Sequence, residues 1–434
     1  MATKKAGHDE TFQQSIENST KDLASKQIRV LLVTDTYYPK FDGPVLVTTH
    51  YAKNFLNMPD IKAEIAAPCQ PDPDNEKKKY NDNQPFPVHR CKSLKAREGY
   101  SMGVPAFDGG FKKWLNSEKF DLIHCHSPFS MCEYFGIYAR KRKIPTLFTF
   151  HTKFHEDFER LVGKGFRYRV MMNYIMKNIN RMDYAVAVSN GSAEVLLSYG
   201  YKKPVGVIRN GADLSYPANA STLIKTVNEK YSLSPDEPVF VSVGRIVSNK
   251  NLALAFEALK IVANRGYNFK FLIIGEGPEE ESLRNLAKSL WLEDKIIWAG
   301  KIMDRELLSA HYLRGNLLML PSMFDTSSLV LLEAAALKLP TIMNNGCIPA
   351  EIVTDGVNGI LAEQNPESWA DKIIWAITHK NEMEKIRDTA QAEIYKSWAT
   401  VAKEVRDYYF KVIEEYKTSH KKKPARNKRI KKPE

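Results

Sequence analysis

From Ile28 onward the hydrophobic positions come in short, nearly unbroken runs: IRVLLVTD, KAEIAAP, FDLIHCHS, PTLFTFHT and YAVAVS. Between them lie longer stretches such as GPVLVTTHYAKNFL, CEYFGIYARKRK and SAEVLLSYG, with a helical pattern. Strands covered on both faces read as continuous apolar runs, whereas surface helices carry an apolar stripe every three to four residues. The alternation predicts βαβ units and a parallel sheet. It restarts after about residue 215 with PVFVSVGR, NLALAFEALKIVANRG, FKFLIIGEG, KIIWAG, NLLMLPS, SLVLLEAAALK and PTIMN. The fold class is therefore α/β, with two facing, doubly wound Rossmann-like domains at 28–215 and 216–397. Their boundary falls in NGADLSYPANAS, where Asn, Gly, Pro and Ser cluster. A closing helix at 398–416 follows the second sheet and is placed to pack back on the first domain.

Length agrees with two cores, since 434 residues exceed what one ordinary core organises. No apolar run approaches the roughly 20 residues that span a bilayer. The polar segment 1–27 has no apolar stretch of a secretory signal and reads as a disordered lead-in, so a cytoplasmic protein is expected. Five cysteines without paired ligand spacing argue for buried thiols rather than disulfides or a zinc site. The net charge of +12 is concentrated at the end: residues 417–434 hold nine Lys and Arg against one Glu, or +8, leaving +4 elsewhere. Such a tail suits an anionic membrane surface, a polyanion such as RNA, or a solvated solubility tail.

In MFDTSSLVLLEAAALKLP, Glu333 interrupts a run that reads as a buried helix, eight positions after Asp325. An unpaired buried charge costs several kcal/mol or shifts its pKa, so this carboxylate needs a partner. Open α/β sheets bind ligands at the carboxyl ends of their strands, so the cleft between the domains is the expected site. FVSVGRIVSNKNL places Arg245 just past a strand and Lys250 near a helix start. Two cations there suit a diphosphate, through a planar fork and a point charge; ordinary surface ion pairs are the alternative. Asp325, Thr326 and Ser328 are good N-cap residues, and the helix opening near 326–329 can offer free N–H groups to a phosphate. Glu333, about a turn farther on, can accept from a ribose hydroxyl pair and sit near the Arg and Lys. The alternative is a structural Glu paired with a backbone N–H or with Arg245.

GRIVSNKN, IIGEGPEEESL, LPSMFDTSSLVLLEA and DGVNGIL, in that order, with VTDTYYPKFDG and VIRNGAD before them, resemble family 4 of the retaining glycosyltransferases, which have the GT-B fold. The resemblance covers about 28–416, and is nearest to bacterial enzymes that glycosylate diacylglycerol at the cytoplasmic membrane face. It implies that Asp325 contacts the donor sugar and Glu333 the ribose. It places Arg245 and Lys250 on the diphosphate, with the N–H groups of Leu329 and Val330, and Ile302 beside the base. In the first domain it puts Gly43 opposite the donor phosphates and His151 against the sugar. Front-face departure is implied, with the leaving diphosphate helping to deprotonate the acceptor, without metal or cofactor. The chain departs from the family at Asp325, where Glu is more common, and at Ser328 and Lys338, where Gly is frequent; altered donor geometry is the expectation.

Weaker signals accompany these. The DPD at 72–74 reads as a solvated loop, and His124 and His126 as one core and one cleft-edge histidine for want of a third ligand. GEGP lacks the full dinucleotide pattern. FKKWLNSEKF and FERLVGKGFRYRVMMNYIMKNINR interleave aromatic, Met and basic residues, as segments lying on headgroups do, or as interface-core helices. The combined expectation is transfer of a hexose, glucose on UDP, to a membrane lipid such as diacylglycerol. The alternatives are a soluble enzyme extending a polysaccharide or protein-linked glycan, and a non-catalytic sugar-nucleotide or RNA-binding scaffold. Nucleic acid is not the favoured partner.

Overall fold

In this computed structural model, residues 27–421 are described apart from 41, 73–74, 81 and 96–100. The lead-in at 1–27, except Gln27, and the basic tail from 422 onward lie outside the described residues, as does part of the DPD loop.

Seven strands form the first sheet: β1 (Ile28–Val33), β2 (Ile61–Pro68), β3 (Val88–Cys91), β4 (Leu122–Cys125), β5 (Thr146–Phe150), β6 (Tyr184–Ala187) and β7 (Val205–Val207). Their order is β7-β6-β5-β4-β1-β2-β3, and all neighbours are parallel. The second sheet has β8 (Val239–Val243), β9 (Lys270–Ile274), β10 (Ile296–Gly300), β11 (Leu317–Leu320), β12 (Thr341–Asn344) and β13 (Ile360–Ala362). They run in the order β10-β9-β8-β11-β12-β13, again parallel throughout.

The helices that matter for the site are α1 (Gly43–Phe55), α2 (Ser130–Arg142), α3 (Phe154–Val162), α4 (Phe166–Arg181), α5 (Leu252–Asn264), α6 (Arg305–Arg314), α7 (Leu329–Ala336) and α8 (Trp398–Lys421). Each sheet buries both faces because strand side chains alternate. On β1, Val30 and Leu32 enter a core with Val45 and Phe55 of α1, while Leu31 and Val33 enter another with Met131 and Phe135 of α2. On β8, Val241 packs with Leu308 of α6, and Phe240 with Phe256 of α5. This two-sided burial is why the strands read as unbroken apolar runs.

α8 packs on the first sheet's side, where Val401, Val405, Tyr409 and Val412 join the core of β1 and α1. It runs to Lys421, five residues past the expected 416, and Lys417 there pairs with Glu414 one turn back at 3.0 Å. The chain passes between the two sheets' halves twice, and the passes touch: Ala212 N donates to Lys396 O at 2.8 Å and Ala212 bridges Ser397. The described cysteines are free; Cys91, Cys125, Cys132 and Cys347 are buried and Cys69 is half-buried. No described helix is long and apolar enough to cross a membrane.

Candidate active site

Each sheet has one point where the strand order reverses, between β1 and β4 and between β8 and β11, where loops splay apart and leave room for a ligand. Past β8, Gly244 (φ +140°) turns the chain so that Arg245 is exposed. That turn lies against the GEGP loop: Gly244 N donates to Ile274 O and Ile246 N to Glu276 O, both at 3.0 Å. A Cβ at Gly275 (φ +145°) would stand 1.8 Å from the Gly244 carbonyl oxygen, so only glycine allows this approach. The loop expected not to bind a dinucleotide thus serves to brace Arg245. Lys250 ends a short turn before α5 and pairs with Asp325 Oδ1 at 2.7 Å.

Beyond β11 the chain crosses the cleft edge and opens α7 at Leu329. Its N-cap is Ser328, whose hydroxyl accepts from Leu331 N at 3.3 Å. Ser328 has φ −88°, a conformation open to any residue, so serine here introduces no backbone strain. Among the described residues the N–H groups of Leu329 and Val330 donate to no protein acceptor, as the first turn of a helix requires. Lys338 ends the helix in the left-handed region (φ +56°), which explains a preference for glycine at that position.

Leu329 and Glu333, one turn apart, line a cavity of about 520 Å³ together with Tyr38, His50, Lys301 and Met303. Ile302 is half-buried between the last two. The expected neighbours of Glu333 are corrected here. Its Oε1 accepts from Arg305 Nη2 and its Oε2 from Tyr312 Oη, both at 2.8 Å, while Arg245 and Lys250 stand elsewhere. Burial and the adjacent Glu333 push the Tyr312 hydroxyl well above its ordinary pKa, so it stays a donor. Burial alone would lower the Arg305 pKa, but Glu333 and Asp213 raise it. Arg305 Nη2 also bonds Asp213 in the segment joining the two sheets. His50 Nε2 lies 3.8 Å from Asp213, and its ring stacks on Trp398 at 4.7 Å. Tyr312, Arg305, Asp213 and His50 escaped sequence reasoning because no spacing ties them to Glu333; Arg305 in MDRE resembles any residue of a helix start.

From the first sheet, Asp42 caps α1 by accepting from Val45 N at 3.0 Å and is near enough for the Arg245 charge to act on it. Gly43 therefore comes to the same edge as Arg245, with no atom within 4 Å of where a Cβ would stand. His151 follows β5. Its Nε2 is 3.1 Å from His126 Nδ1, and burial holds its pKa down to about 3, so the ring is neutral. Its carbonyl accepts from Thr326 Oγ1 at 2.5 Å. Lys153 Nζ donates to Met323 O at 3.3 Å and Ser189 Oγ to Thr326 O at 2.7 Å. The Asp325 loop is thus held by hydrogen bonds from across the cleft, and Leu329 packs against cores on both sides. His124 is a core residue, bonded to Tyr409 Oη at 2.7 Å and Thr149 Oγ1 at 2.6 Å. FKKWLNSEKF is also core: Phe111, Leu115 and Phe120 are buried and Trp114 stacks on His89 at 3.7 Å. No group of three His, Cys, Asp or Glu suited to a metal occurs among the described residues.

Two family models match the chain: Glycosyltransferase Family 4 over 47–216 and Glycosyl transferases group 1 over 224–393. The chain belongs to glycosyltransferase family 4. Among curated relatives of this family 4 chain is the alpha-monoglucosyldiacylglycerol synthase of Streptococcus pneumoniae, 25% identical over 403 residues, covering 89% of this chain and 86% of the relative. The Anabaena protein HepE in complex with UDP-glucose superposes with a TM-score of 0.68 at 17% identity, covering 91% of this chain and 100% of that one. Sucrose-phosphate synthase from Thermosynechococcus elongatus gives 0.71 at 16%, over 90% and 100%. These neighbours support the GT-B fold of a glycosyltransferase.

Proposed function

We propose that the chain transfers glucose from UDP-glucose to a membrane lipid such as diacylglycerol, with retention, without metal or cofactor, from the cytoplasmic membrane face. The observation that carries the donor half is the first turn of α7: free N–H groups at Leu329 and Val330, with Leu329 and, one turn on, Glu333 lining the same cavity. Helix N-termini bind phosphate through such N–H groups and the dipole. Arg245 and Lys250 add charge-assisted bonds to the diphosphate, Gly43 leaves room beside it, and Ile302 borders the base. Asp325 and the neutral His151 hydrogen-bond sugar hydroxyls. A departing diphosphate oxygen on the same face takes the acceptor proton, so no protein base is needed. In this reading residues 28–215 face the acceptor and 216–397 hold the donor.

The lipid acceptor is supported by the name of the Streptococcus pneumoniae relative and by the surface of α3 and α4. Leu161, Phe166 and Val170 are exposed, Phe166 at 80%, among the exposed Lys164, Arg167 and Arg169. An apolar edge amid cations suits a headgroup layer, and the basic tail adds a second weak anchor.

The test is a transfer assay of the purified protein with a panel of UDP- and GDP-sugars and anionic liposomes with or without diacylglycerol, read by lipid mass spectrometry. A glucosyl lipid formed from UDP-glucose is the expected product. Donor hydrolysis without a lipid product would move the acceptor to a soluble glycan, and no turnover would remove the catalytic reading.

A further inference from the structure

We propose that Arg305 is a positioning residue for the donor: it fixes the Glu333 carboxylate toward the cavity, and is itself braced by Asp213 from outside the helix that carries it. The inference rests on the reading of Glu333 as the ribose acceptor.

Each Glu333 oxygen already receives one bond, from Arg305 and from Tyr312. A carboxylate accepts about four hydrogen bonds, so roughly one lone pair per oxygen remains for a pair of vicinal hydroxyls. Glu333 is only 13% exposed and Arg305 43%, so the carboxylate is the more deeply set of two groups that both reach the cavity wall. Tyr312 alone, bonded to one oxygen, would leave the carboxylate free to rotate about its last torsion, which has broad minima. A planar guanidinium sharing one nitrogen between two carboxylates removes that freedom. Asp213 supplies the second carboxylate. It stands beside the crossing at Ala212, and His50, stacked on Trp398, is 3.8 Å from its other oxygen. The orientation of Glu333 thus depends on contacts from α1, the crossing segment and α6 together. Arg305, Asp213 and Glu333 all line the cavity.

The experiment measures binding of UDP, 2′-deoxy-UDP and 3′-deoxy-UDP by calorimetry to the full chain and to Glu333→Gln, Arg305→Gln, Arg305→Lys and Asp213→Asn. The full chain prefers UDP over either deoxy form by about tenfold or more, as loss of a bond to a charged acceptor requires. Glu333→Gln loses most of that preference. Arg305→Gln loses it too, in spite of an intact Glu333, and Arg305→Lys does not restore it, because its shorter side chain stops before the Nη2 position where both carboxylates are met. Asp213→Asn shifts it in the same direction by less. Wild-type preference in Arg305→Gln, with the loss present in Glu333→Gln, overturns the role of Arg305; wild-type preference in Asp213→Asn alone overturns the brace. Undiminished preference in Glu333→Gln instead removes the ribose reading beneath both. Arg305 is partly exposed, and thermal melts of both Arg305 variants verify that each is folded when titrated.

Discussion

Replacing Gly275 by alanine tests the bracing of the Arg245 loop. The added Cβ would stand 1.8 Å from the Gly244 carbonyl oxygen, whereas carbon and oxygen rest at about 3.3 Å even in close contacts. The Gly244 turn would have to retreat by about 1.5 Å, stretching both hydrogen bonds that hold it to the GEGP loop, at about 1 kcal/mol each. Alanine at φ +145° adds about 1 to 3 kcal/mol of backbone strain. The total of about 3 to 5 kcal/mol lowers Tm by roughly 10 °C in a domain of this size. The same retreat withdraws Arg245, so UDP binding weakens about tenfold or more, the worth of one charge-assisted bond. Calorimetry reads both quantities. Gly266→Ala is the control: its φ is +87° with no atom within 4 Å, so it costs about 1 kcal/mol and leaves UDP affinity unchanged. Wild-type Tm and UDP affinity in Gly275→Ala would refute the account of this loop.

Further outcomes follow from the ion pairs, a histidine and a helix end. Lys250→Met leaves Asp325 half-buried without its 2.7 Å partner; turnover should fall at least tenfold while Tm moves by only a few degrees, since the pair is partly solvated, and an active Lys250→Met enzyme would contradict the assignment. Burial pushes His50 down to about 4 against the nearby Asp213 charge. The unfolded chain therefore takes up the proton first, and stability is lost as pH falls from about 6.5 toward 4. Urea titrations at pH 7 and 4.5 should show His50→Gln losing about 2 kcal/mol less than the wild type over that interval. Lys338→Gly relieves a left-handed φ of +56° at the expense of a surface pair with Asp388, so it should stabilise by about 0.5 to 1 kcal/mol, with an unchanged or lower Tm as the contrary result.

The sheets were legible because burial on both faces leaves no polar alternation, and the strand ends because the loops following them change composition abruptly. Asp325, Lys250 and Arg245 were legible as cleft-edge residues, since each lies within a few positions of a strand end. The partner of Glu333 was not. Arg305 lies twenty-eight positions earlier, on a helix that only the packing of the second half sets beside α7, and Asp213 stands in the crossing segment. FKKWLNSEKF left a headgroup face and a core helix equally open for a related reason. Its amphipathic pattern is the same whether the apolar face meets lipid or, as here, Phe135 and the rest of a core.

The contact between the two crossings has a mechanical meaning. One strand joining two bodies is a swivel; two strands bonded side by side, at Ala212 and Ser397, form a hinge with a single favoured axis. Gly211 sits so close to Trp398 that a Cβ there would lie 2.9 Å from its backbone nitrogen, which keeps the two strands of the hinge together. A relative rotation of the two halves would be confined to that line, which would keep the loops on opposite walls in register. Cutting the chain between Lys396 and Trp398 would turn the hinge into a swivel, and the walls would then lose their alignment even with every lining residue intact.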